Sequence, residues 1–370
     1  MLNILNYILW DVRPEIFSTD YVTIRWYGLL FASGFLVGQW IIARIFKIEG
    51  KPEKDLETLM IYMVLATIVG ARLGHCLFYQ PDHYLKNPIE ILYIWEGGLA
   101  SHGAAIGILL ALYLYSRKRI GQSFLWVVDR IVIVVALGGS FIRFGNLMNS
   151  EIIGKPSDMP AAFVFAHSLD EAFQDKRFHV LDIEKKLLPD PDTIINGITH
   201  TPMDITIKFD KQYVQSDPLN PPHQQLIVNK IEEGFEFNNE VNKHYYINQA
   251  KLKVRITEDN TSTICNFQAW GIPRHPAQLY ESISSLLIFL FLLWLYYRKK
   301  EQTPHGLLFG LFMILIFFLR FIYEFFKENQ VEFENDLVYN MGQLLSIPAV
   351  IVGVVVLVMA LRRPKINPLD

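Results

Sequence analysis

Seven long apolar stretches dominate this sequence, and each approaches the roughly 20 residues that a helix needs to cross a bilayer core. They cover residues 23–46, 57–79, 99–116, 124–142, 277–297, 306–326 and 341–361. The composition agrees, because 51% of the chain is hydrophobic and only 19% is charged, which departs from the usual soluble balance. The pattern predicts an all-α polytopic membrane protein with seven transmembrane helices.

Basic residues follow every second apolar stretch, and their placement predicts the orientation. They are Lys47, Lys51, Lys54, Arg117, Lys118, Arg119, Arg298, Lys299, Lys300, Arg362, Arg363 and Lys365. Because cytoplasmic links are enriched in Lys and Arg, the four links that carry these residues are expected on the inside. We therefore expect an N-terminus outside the membrane and a C-terminus in the cytoplasm.

A long polar segment, residues 160–274, separates the fourth and fifth stretches. Segments such as DITIKFDKQYV and KLKVRITED alternate with period two, which is typical of half-exposed strands. By the orientation above, this segment is an inserted extracytoplasmic β-containing domain between two membrane domains, 1–159 and 275–370. It carries no metal-ligand cluster, and its scattered histidines are expected on the surface. They are His167, His179, His200, His223 and His244.

Charge and cysteine content exclude several other classes. A net charge of -3 gives no electrostatic reason to expect a nucleic-acid partner. Cys76 and Cys265 lie far apart without ligand spacing, so both are expected to be structural, with neither a disulfide framework nor a zinc site. The apolar N-terminus has no basic lead-in and no small-residue cleavage site, which argues against a removable signal peptide.

Polar residues collect at the end of the fourth stretch, in FIRFGNLMNSEIIGKPSD, where Arg143, Asn146 and Glu151 fall close together. In the sixth stretch, Arg320 and Glu324 have the four-residue spacing that puts two side chains on one helix face. A charged side chain at the centre of a membrane helix costs about 2.5–3.5 kcal/mol on insertion scales. Such residues need partners, water or a function, and an ion pair that only reduces the insertion cost is the plain alternative.

Other stretches bring hydrogen-bonding residues to the same predicted outer face: Tyr27, Arg72, His102, His275, Gln278, Tyr280 and Glu281. For Tyr27 alone, an aromatic anchor at the interface is the simpler interpretation. The inner halves of the stretches contain little charge besides Asp129 and Arg130, which are expected to be solvated near the cytoplasmic surface. This convergence predicts a polar site near one membrane face.

Two arginines just below a membrane surface suit a phosphate, because guanidinium is always charged and offers a planar fork of donors. The commonest phosphate at that depth is a phospholipid head group. His102 is the natural proton acceptor, since an imidazole titrates near neutrality. The glycines of GARLG and EGGLASHGAAIG would allow either close helix packing or backbone approach to a head group.

A transporter or channel is the main alternative from another class, since charged residues within spans also mark solute paths. That class favours polar residues that continue to the inner face, or internally repeated halves, and the sequence has neither. A membrane protease is disfavoured because no serine nucleophile motif or H-E-x-x-H pair occurs.

Seven segments, in order, resemble the prolipoprotein diacylglyceryl transferase family of bacterial membrane enzymes. They are IRWYGLLFASGF, GARLGHCLFY, EGGLASHGAAIG, RFGNLMNSEIIGKPSD, HPAQLYES, FLRFIYEFF and MGQLLSIP. The resemblance implies a multi-pass protein of the bacterial cytoplasmic (inner) membrane, in contact with membrane lipids, with its active site toward the extracytoplasmic side. It implies no metal and no cofactor.

The implied reaction transfers the diacylglyceryl group of phosphatidylglycerol to the lipobox cysteine near the end of a prolipoprotein signal peptide. A thioether forms and glycerol phosphate leaves. On this resemblance Arg143 and Arg320 are expected to hold the phosphate, and Glu151 and Glu324 to orient the guanidiniums. His102 is the candidate base, although an arginine-stabilised thiolate or the departing phosphate would make it dispensable. The resemblance also marks three contacts to the head group or the backbone: Tyr27, Asn146 and Gly154.

The sequence departs from the family pattern at three places. Ile142 stands where the family usually has glycine, so the backbone is expected to turn differently there. Lys327 stands where arginine is common, which keeps the charge but loses bidentate geometry. The insertion 160–274 is longer than the family pattern implies, and the resemblance gives it no role.

Overall fold

Two compact units make up the chain in the computed structural model. Unit 1 comprises Met1–Leu29, Arg143–Glu281 and Tyr323–Val338, and unit 2 comprises Leu30–Ile142, Ser282–Ile322 and Tyr339–Asp370. The structure describes residues 7–19, 21–94, 97–98, 100–213, 223–237, 239–248, 252–329, 334 and 337–362. The predicted start of the third span at residue 99, together with Arg363 and Lys365, lies outside these residues.

The α-helices of the described residues account for about half of the chain. In order they are α1 Trp26–Ile48, α2 Glu53–Phe78, α3 Pro81–Lys86, α4 Ser101–Ser116, α5 Phe124–Met148, α6 Ser168–Ala172, α7 His223–Phe237, α8 Asn239–His244, α9 Ala277–Lys299, α10 Leu307–Tyr323 and α11 Met341–Arg362. Within the described residues, six of them are long and apolar enough to cross a membrane: α1, α2, α5, α9, α10 and α11. The remaining predicted span corresponds to the shorter apolar helix α4. A polytopic membrane protein is therefore confirmed.

Strands concentrate in the predicted insertion. They are β1 Ile8–Trp10, β2 Glu15–Ser18, β3 Thr23–Arg25, β4 Phe163–Phe165, β5 Val180–Leu187, β6 Thr193–Ile195, β7 Ile198–Asp210, β8 Tyr245–Tyr246, β9 Arg255–Glu258 and β10 Ser262–Gly271. The largest sheet is built on the long antiparallel pair β7–β10, with β5 and β6 on β7, and β8 and β9 on β10. The N-terminal strand β1 pairs in parallel with β4.

The core of unit 1 follows from the period-two pattern of β7. Alternate residues of β7 are fully buried: Met203, Ile205, Ile207 and Phe209. They pack with an apolar face of α7 formed by Ile227, Ile231 and Phe235. The prediction of an inserted, strand-containing region is confirmed. The prediction that its histidines lie on the surface is wrong for His167, His200 and His244, which are buried in this fold.

Close packing of α2 on α4 explains the glycines of the second and third stretches. A Cβ atom on Gly74 would lie 2.6 Å from the Cα of Gly103, and one on Gly107 would lie 2.8 Å from the carbonyl oxygen of Ala66. Small residues four apart allow this approach of two backbones, as in other membrane helix pairs. Within unit 2 these glycines therefore serve helix packing.

Asp129 and Arg130 are buried, so the expectation of simple solvation is wrong. Arg130 donates to both carboxylate oxygens of Glu49 at 3.0–3.1 Å, and Trp126 donates to the same carboxylate at 2.8 Å. Asp129 accepts from the backbone N–H groups that open α10, at 2.6 and 2.8 Å. Adjacent charges with partners far along the chain thus form an internal network of unit 2.

Candidate active site

The end of α5 carries the most specific polar element of the sequence. The helix runs without a break through Ile142 to Met148, beyond the predicted end at residue 142, so Arg143 and Asn146 lie on its last turns. This continuity is compatible with the β-branched side chain that replaces the family's glycine. The expected change of direction at Ile142 does not occur within α5.

The chain leaves α5 through two residues in the left-handed region. Ser150 has φ 54° and Ile152 has φ 57°, and a β-branched residue rarely adopts this conformation. Strain of this kind persists where the surrounding structure holds it, and it clusters at functional sites. Here the turn brings the Glu151 carboxylate to Asn146 and Asn149, whose amides donate to it at 2.8 and 3.2 Å.

A chain of four alternating charges lies within unit 1. Arg143 pairs through Nε with Glu281, Glu281 pairs through its other oxygen with Lys327, and Lys327 donates to Glu324 at 3.1 Å. The side chains of Glu281, Glu324 and Lys327 are nearly buried, whereas that of Arg143 is 22% exposed. Arg143 is therefore the cation of this chain that a ligand can reach.

Glu151, which was expected to orient a guanidinium, makes no direct ion pair with Arg143 among the described residues. The carboxylate at ion-pair distance from Arg143 is Glu281, and Glu151 is connected through Asn146, which lies 3.5 Å from Nη1 of Arg143. An arginine held at Nε by a carboxylate keeps further N–H donors for an anion. The arrangement thus suits an anionic ligand contacted by the guanidinium.

Gly154 lies where three segments of unit 1 meet. It forms a bridge with Lys327, its carbonyl accepts from Arg274 at 3.0 Å, and a Cβ atom at this position would overlap the backbone of His275. Nearby, Gln278 donates to the carbonyl of Glu151 at 2.6 Å. Glycine is thus required here by close backbone approach, which fits the expected positioning role of Gly154.

Tyr27, at the start of α1, packs against Gly145. A Cβ atom on Gly145 would lie 2.8 Å from the Tyr27 ring and 3.1 Å from its Cα. This contact brings the phenol ring against the last turns of α5, next to Arg143 and Asn146 in sequence. Tyr27, Asn146, Glu151, Gly154 and Glu324 all belong to unit 1, together with Arg143.

His102 and Arg320 belong to unit 2. His102 is exposed at the start of α4, with its ring centroid 5.2 Å from that of Phe78 and 5.8 Å from that of Tyr79. Arg320 is half-buried on the last turn of α10. Glu324 begins the short 3₁₀ turn that follows this helix.

Arg72 has a structural role instead of an anion-binding one. Its guanidinium donates to three backbone carbonyls, those of Glu90, Ile91 and Gly97, at 2.6–3.0 Å. It also lies 5.1 Å from the ring centroid of Tyr84. These contacts fix the segment after α3 within unit 2.

Sequence reasoning gave no role to Glu281 and Arg274 and noted Lys327 only as a substitution. A carboxylate at the start of a membrane helix, as in HPAQLYE, was the available signal for Glu281. Its partners, however, are more than 40 residues away in both directions, at positions 143 and 327. Only the folded chain identifies them.

One group of three potential metal ligands occurs within the described residues: Asp11, His167 and Asp170. The ammonium of Lys185 pairs with both of these aspartates, at 2.7 Å from Asp11. The cation that the two carboxylates require is thus supplied by the chain itself. This group does not fit a metal centre.

The comparisons with known proteins agree over nearly the whole length. A family model described as prolipoprotein diacylglyceryl transferase matches residues 14–359. The chain is 36% identical to the phosphatidylglycerol–prolipoprotein diacylglyceryl transferase of Chloroherpeton thalassium, over 98% of this chain and 97% of that protein. The protein of that name from Tolumonas auensis is 33% identical over 96% and 98%, and the one from Porphyromonas gingivalis 32% over 97% and 96%. The similarity includes segments of both units.

Proposed function

The chain belongs to the prolipoprotein diacylglyceryl transferase family, and we propose on that basis that it transfers diacylglyceryl from phosphatidylglycerol to the cysteine thiol of a prolipoprotein. This reaction is the first step of lipoprotein maturation. The observation that carries the proposal is the family match over residues 14–359. The chain of charges that begins at Arg143 gives this activity a physical basis.

The reaction exchanges one bond at a glycerol carbon of the lipid. The thiol loses its proton, sulfur forms the new C–S bond, and the C–O bond breaks with its electron pair departing on glycerol phosphate. Two barriers dominate: formation of a thiolate from a thiol of pKa about 8.5, and stabilisation of negative charge on the leaving phosphate. Cationic donors aimed at that phosphate lower the second barrier.

Arg143 and Arg320 are proposed to hold the phosphate. Support for Arg143 comes from its exposure and from its anchoring at Nε by Glu281, which leaves other donors available. Glu151 is proposed to act on Arg143 through Asn146, and Glu324 to stabilise the chain of four alternating charges through Lys327. The role of Arg320 rests on its place in the FLRFIYEFF segment.

A double-mutant cycle tests whether the two arginines share one ligand. Arg143→Gln and Arg320→Gln are each expected to raise the KM for phosphatidylglycerol, and the double variant to lose less than the sum of the two free-energy changes. Strict additivity would mean that the two guanidiniums bind separate groups.

His102 is the proposed base for the substrate thiol, and Tyr27, Asn146 and Gly154 are proposed to position the head group or the backbone around it. Imidazole is the side chain most often used as a general base. His102→Gln should lower kcat without raising the KM for lipid. Near-normal turnover would remove His102 from the mechanism and leave an arginine-stabilised thiolate or proton transfer to the departing phosphate.

The orientation of the chain is proposed from its basic links, with the N-terminus outside, the C-terminus inside and the insertion 160–274 on the extracytoplasmic side of a bacterial inner membrane. It requires α4 as the seventh crossing. Sixteen residues at about 1.5 Å each give roughly 24 Å, shorter than a hydrocarbon core of about 30 Å, so local thinning or flanking polar residues must accommodate α4. The membrane domains 1–159 and 275–370 follow from the same proposal.

Accessibility of introduced cysteines tests this orientation directly, because both native cysteines are buried. Asp190→Cys, in the insertion, should react with an impermeant maleimide in intact spheroplasts, and Glu57→Cys, in the second turn of α2, should react only after permeabilisation. The reverse pattern would invert the proposed topology.

The decisive activity assay mixes purified protein, phosphatidylglycerol and a peptide that contains a lipobox cysteine. Mass spectrometry should detect a diacylglyceryl adduct on the peptide and an equivalent amount of glycerol phosphate. A peptide with serine in place of the cysteine is the matched control and should give no adduct. Absence of an adduct on the cysteine peptide would refute the proposed activity.

A further inference from the structure

Unit 1 contains a cavity of about 420 Å³ between the turn after α5 and the inserted domain. This volume falls within the range of about 300–1,000 Å³ typical of ligand pockets. One wall is the strained turn at residues 149–153, another is α6 with the residue before it, and the rest comes from Lys243, His244, Glu328 and Asn329. The cavity thus shares Asn149 and Glu151 with the candidate active site, and residues of the insertion form part of its wall.

Five buried polar atoms of the cavity residues have no hydrogen-bond partner among the described residues. They are Oδ1 of Asn149, Oγ of Ser150, Nδ1 of His167, Oγ of Ser168 and Nδ1 of His244. Ser168 and His244 are more than nine-tenths buried. A buried polar group without a partner is unfavourable, so such groups call for an explanation by a ligand or by water.

Hydrogen-bond acceptors predominate in this cavity. The carboxylates of Glu151, Glu171 and Glu328 line it, and Glu328 is paired with Arg274. Burial, followed by the nearby charges of Arg274 and Lys243, lowers the pKa of His244 to about 3, so its imidazole is neutral near pH 7. Glu328 is balanced by Arg274, so the carboxylates of Glu151 and Glu171 remain beside one lining lysine and favour a ligand with N–H or ammonium donors over an anion.

These properties of the cavity favour a polypeptide over a lipid head group as its ligand. A phosphate brings negative charge and acceptor oxygens, which duplicate what the wall already presents. An extended polypeptide brings an N–H donor and a C=O acceptor at nearly every residue, so it can pair both with the Asn149 oxygen and with the serine hydroxyls of the wall. A signal-peptide helix is apolar and belongs in lipid, so the polar stretch that fits here is the one on the far side of the cysteine.

We propose that this cavity binds the polar segment of the prolipoprotein that follows the acceptor cysteine, and that it prefers neutral or cationic residues there. The inference rests on the proposed function. It gives the insertion a substrate-binding role, since α6 and residues 243–244 supply part of the wall. The turn after α5 connects the two sites, because Asn149 holds Glu151 at 3.2 Å and lines the cavity itself.

The test compares two peptides with the full-length enzyme in phosphatidylglycerol micelles. A short peptide stops at the cysteine amide, and a long peptide continues with a polar tail. The wild-type enzyme should show a lower KM for the long peptide. Ser168→Ala and Glu171→Gln should raise that KM about three- to tenfold, the loss of one ordinary hydrogen bond, while leaving the short peptide and the lipid unchanged.

A charge-reversal experiment remains informative even if a variant folds less well, because it compares two substrates within one enzyme. Long peptides with either lysine or glutamate in the tail are assayed with wild type, Glu171→Lys and Glu184→Lys. Wild type should prefer the lysine tail, and Glu171→Lys should reverse this preference. Glu184 is an exposed carboxylate on β5 outside the cavity lining, so its reversal should leave the preference intact.

The outcomes distinguish this inference from the proposed activity. If no peptide gains a diacylglyceryl group, the activity itself fails. If both peptides are modified with equal kcat/KM, or if Ser168→Ala raises the KM for phosphatidylglycerol instead, the enzyme remains a transferase but the cavity does not bind the segment after the cysteine.

Discussion

Glu281 is the residue whose replacement tests the charged chain most directly. Its carboxylate is the only described link between Arg143, which a ligand can reach, and the buried ammonium of Lys327. The substitution Glu281→Gln keeps the shape of the side chain and one acceptor oxygen but removes the negative charge. Arg143 and Lys327 would then face a neutral amide.

The structure sets the size of the expected effect. A hydrogen bond to a charged group contributes about 1.5–3 kcal/mol, whereas a neutral one contributes about 0.5–1.5 kcal/mol. Glu281 makes two charged contacts, so exchanging both for neutral ones should cost about 2 kcal/mol in the positioning of Arg143. If Arg143 holds the leaving phosphate, this loss should lower kcat/KM roughly thirtyfold.

Initial rates with varied phosphatidylglycerol and varied peptide separate the two substrates. The KM for the lipid should rise and the KM for the peptide should not, because the phosphate belongs to the lipid. Glu184→Gln on the exposed strand β5 makes the same chemical change away from the charged chain and should leave both constants unchanged. A fully folded Glu281→Gln enzyme with wild-type kcat/KM would refute the proposed link from Glu281 through Arg143 to the lipid.

Three further substitutions test other parts of unit 1. Gly154→Ala should lower kcat/KM roughly ten- to hundredfold, because the new methyl overlaps the His275 backbone at an overpacking cost of about 1–3 kcal/mol. The control Gly139→Ala, whose methyl would lie 3.9 Å from a side-chain oxygen, should stay active. Arg274→Met should lower the free energy of unfolding by about 3 kcal/mol in denaturant titrations, since two buried carbonyls lose their donor, and an unchanged midpoint would contradict this reasoning. His244 has a folded pKa of about 3 against an ordinary 6.5, so between these values only the unfolded chain takes up this proton and the folded state loses stability as the pH is lowered. His244→Gln should flatten that slope by up to about 1.4 kcal/mol per pH unit in thermal unfolding, and equal slopes for the two proteins would count against this reasoning.

The sequence predicted the elements that depend on local periodicity. Long apolar runs became helices within a few residues of their expected ends, and the alternation in 204–210 became the buried and half-buried faces of β7, which ends at Asp210. The end of α5 is the exception. Hydropathy placed the end of α5 at residue 142, but the helix continues to Met148 because the polar side chains of its last turns find partners inside the protein.

Pairings between distant residues could not be read from the sequence. Arg130 was expected in solvent, but its partner Glu49 lies 81 residues earlier in the chain. The same limit applies to the candidate site, where Glu151 was expected to orient a guanidinium and the carboxylate that pairs with Arg143 is Glu281. Proximity along the chain favours local partners, whereas burial selects whichever carboxylate the fold brings near.

Lys327 and Arg143, the two cations of the chain of charges, meet different structural requirements. A buried ammonium costs several kcal/mol unless it is closely paired, and Lys327, at 2% exposure, has carboxylates on both sides, Glu281 and Glu324. A compact point charge satisfies that position, so the bidentate fork of an arginine is not required there. At Arg143 the demands differ, because one edge of the side chain must engage Glu281 while other donors stay available to a ligand. The observed residues therefore fit a site in which Lys327 neutralises the carboxylates and Arg143 alone in this chain of charges contacts the substrate.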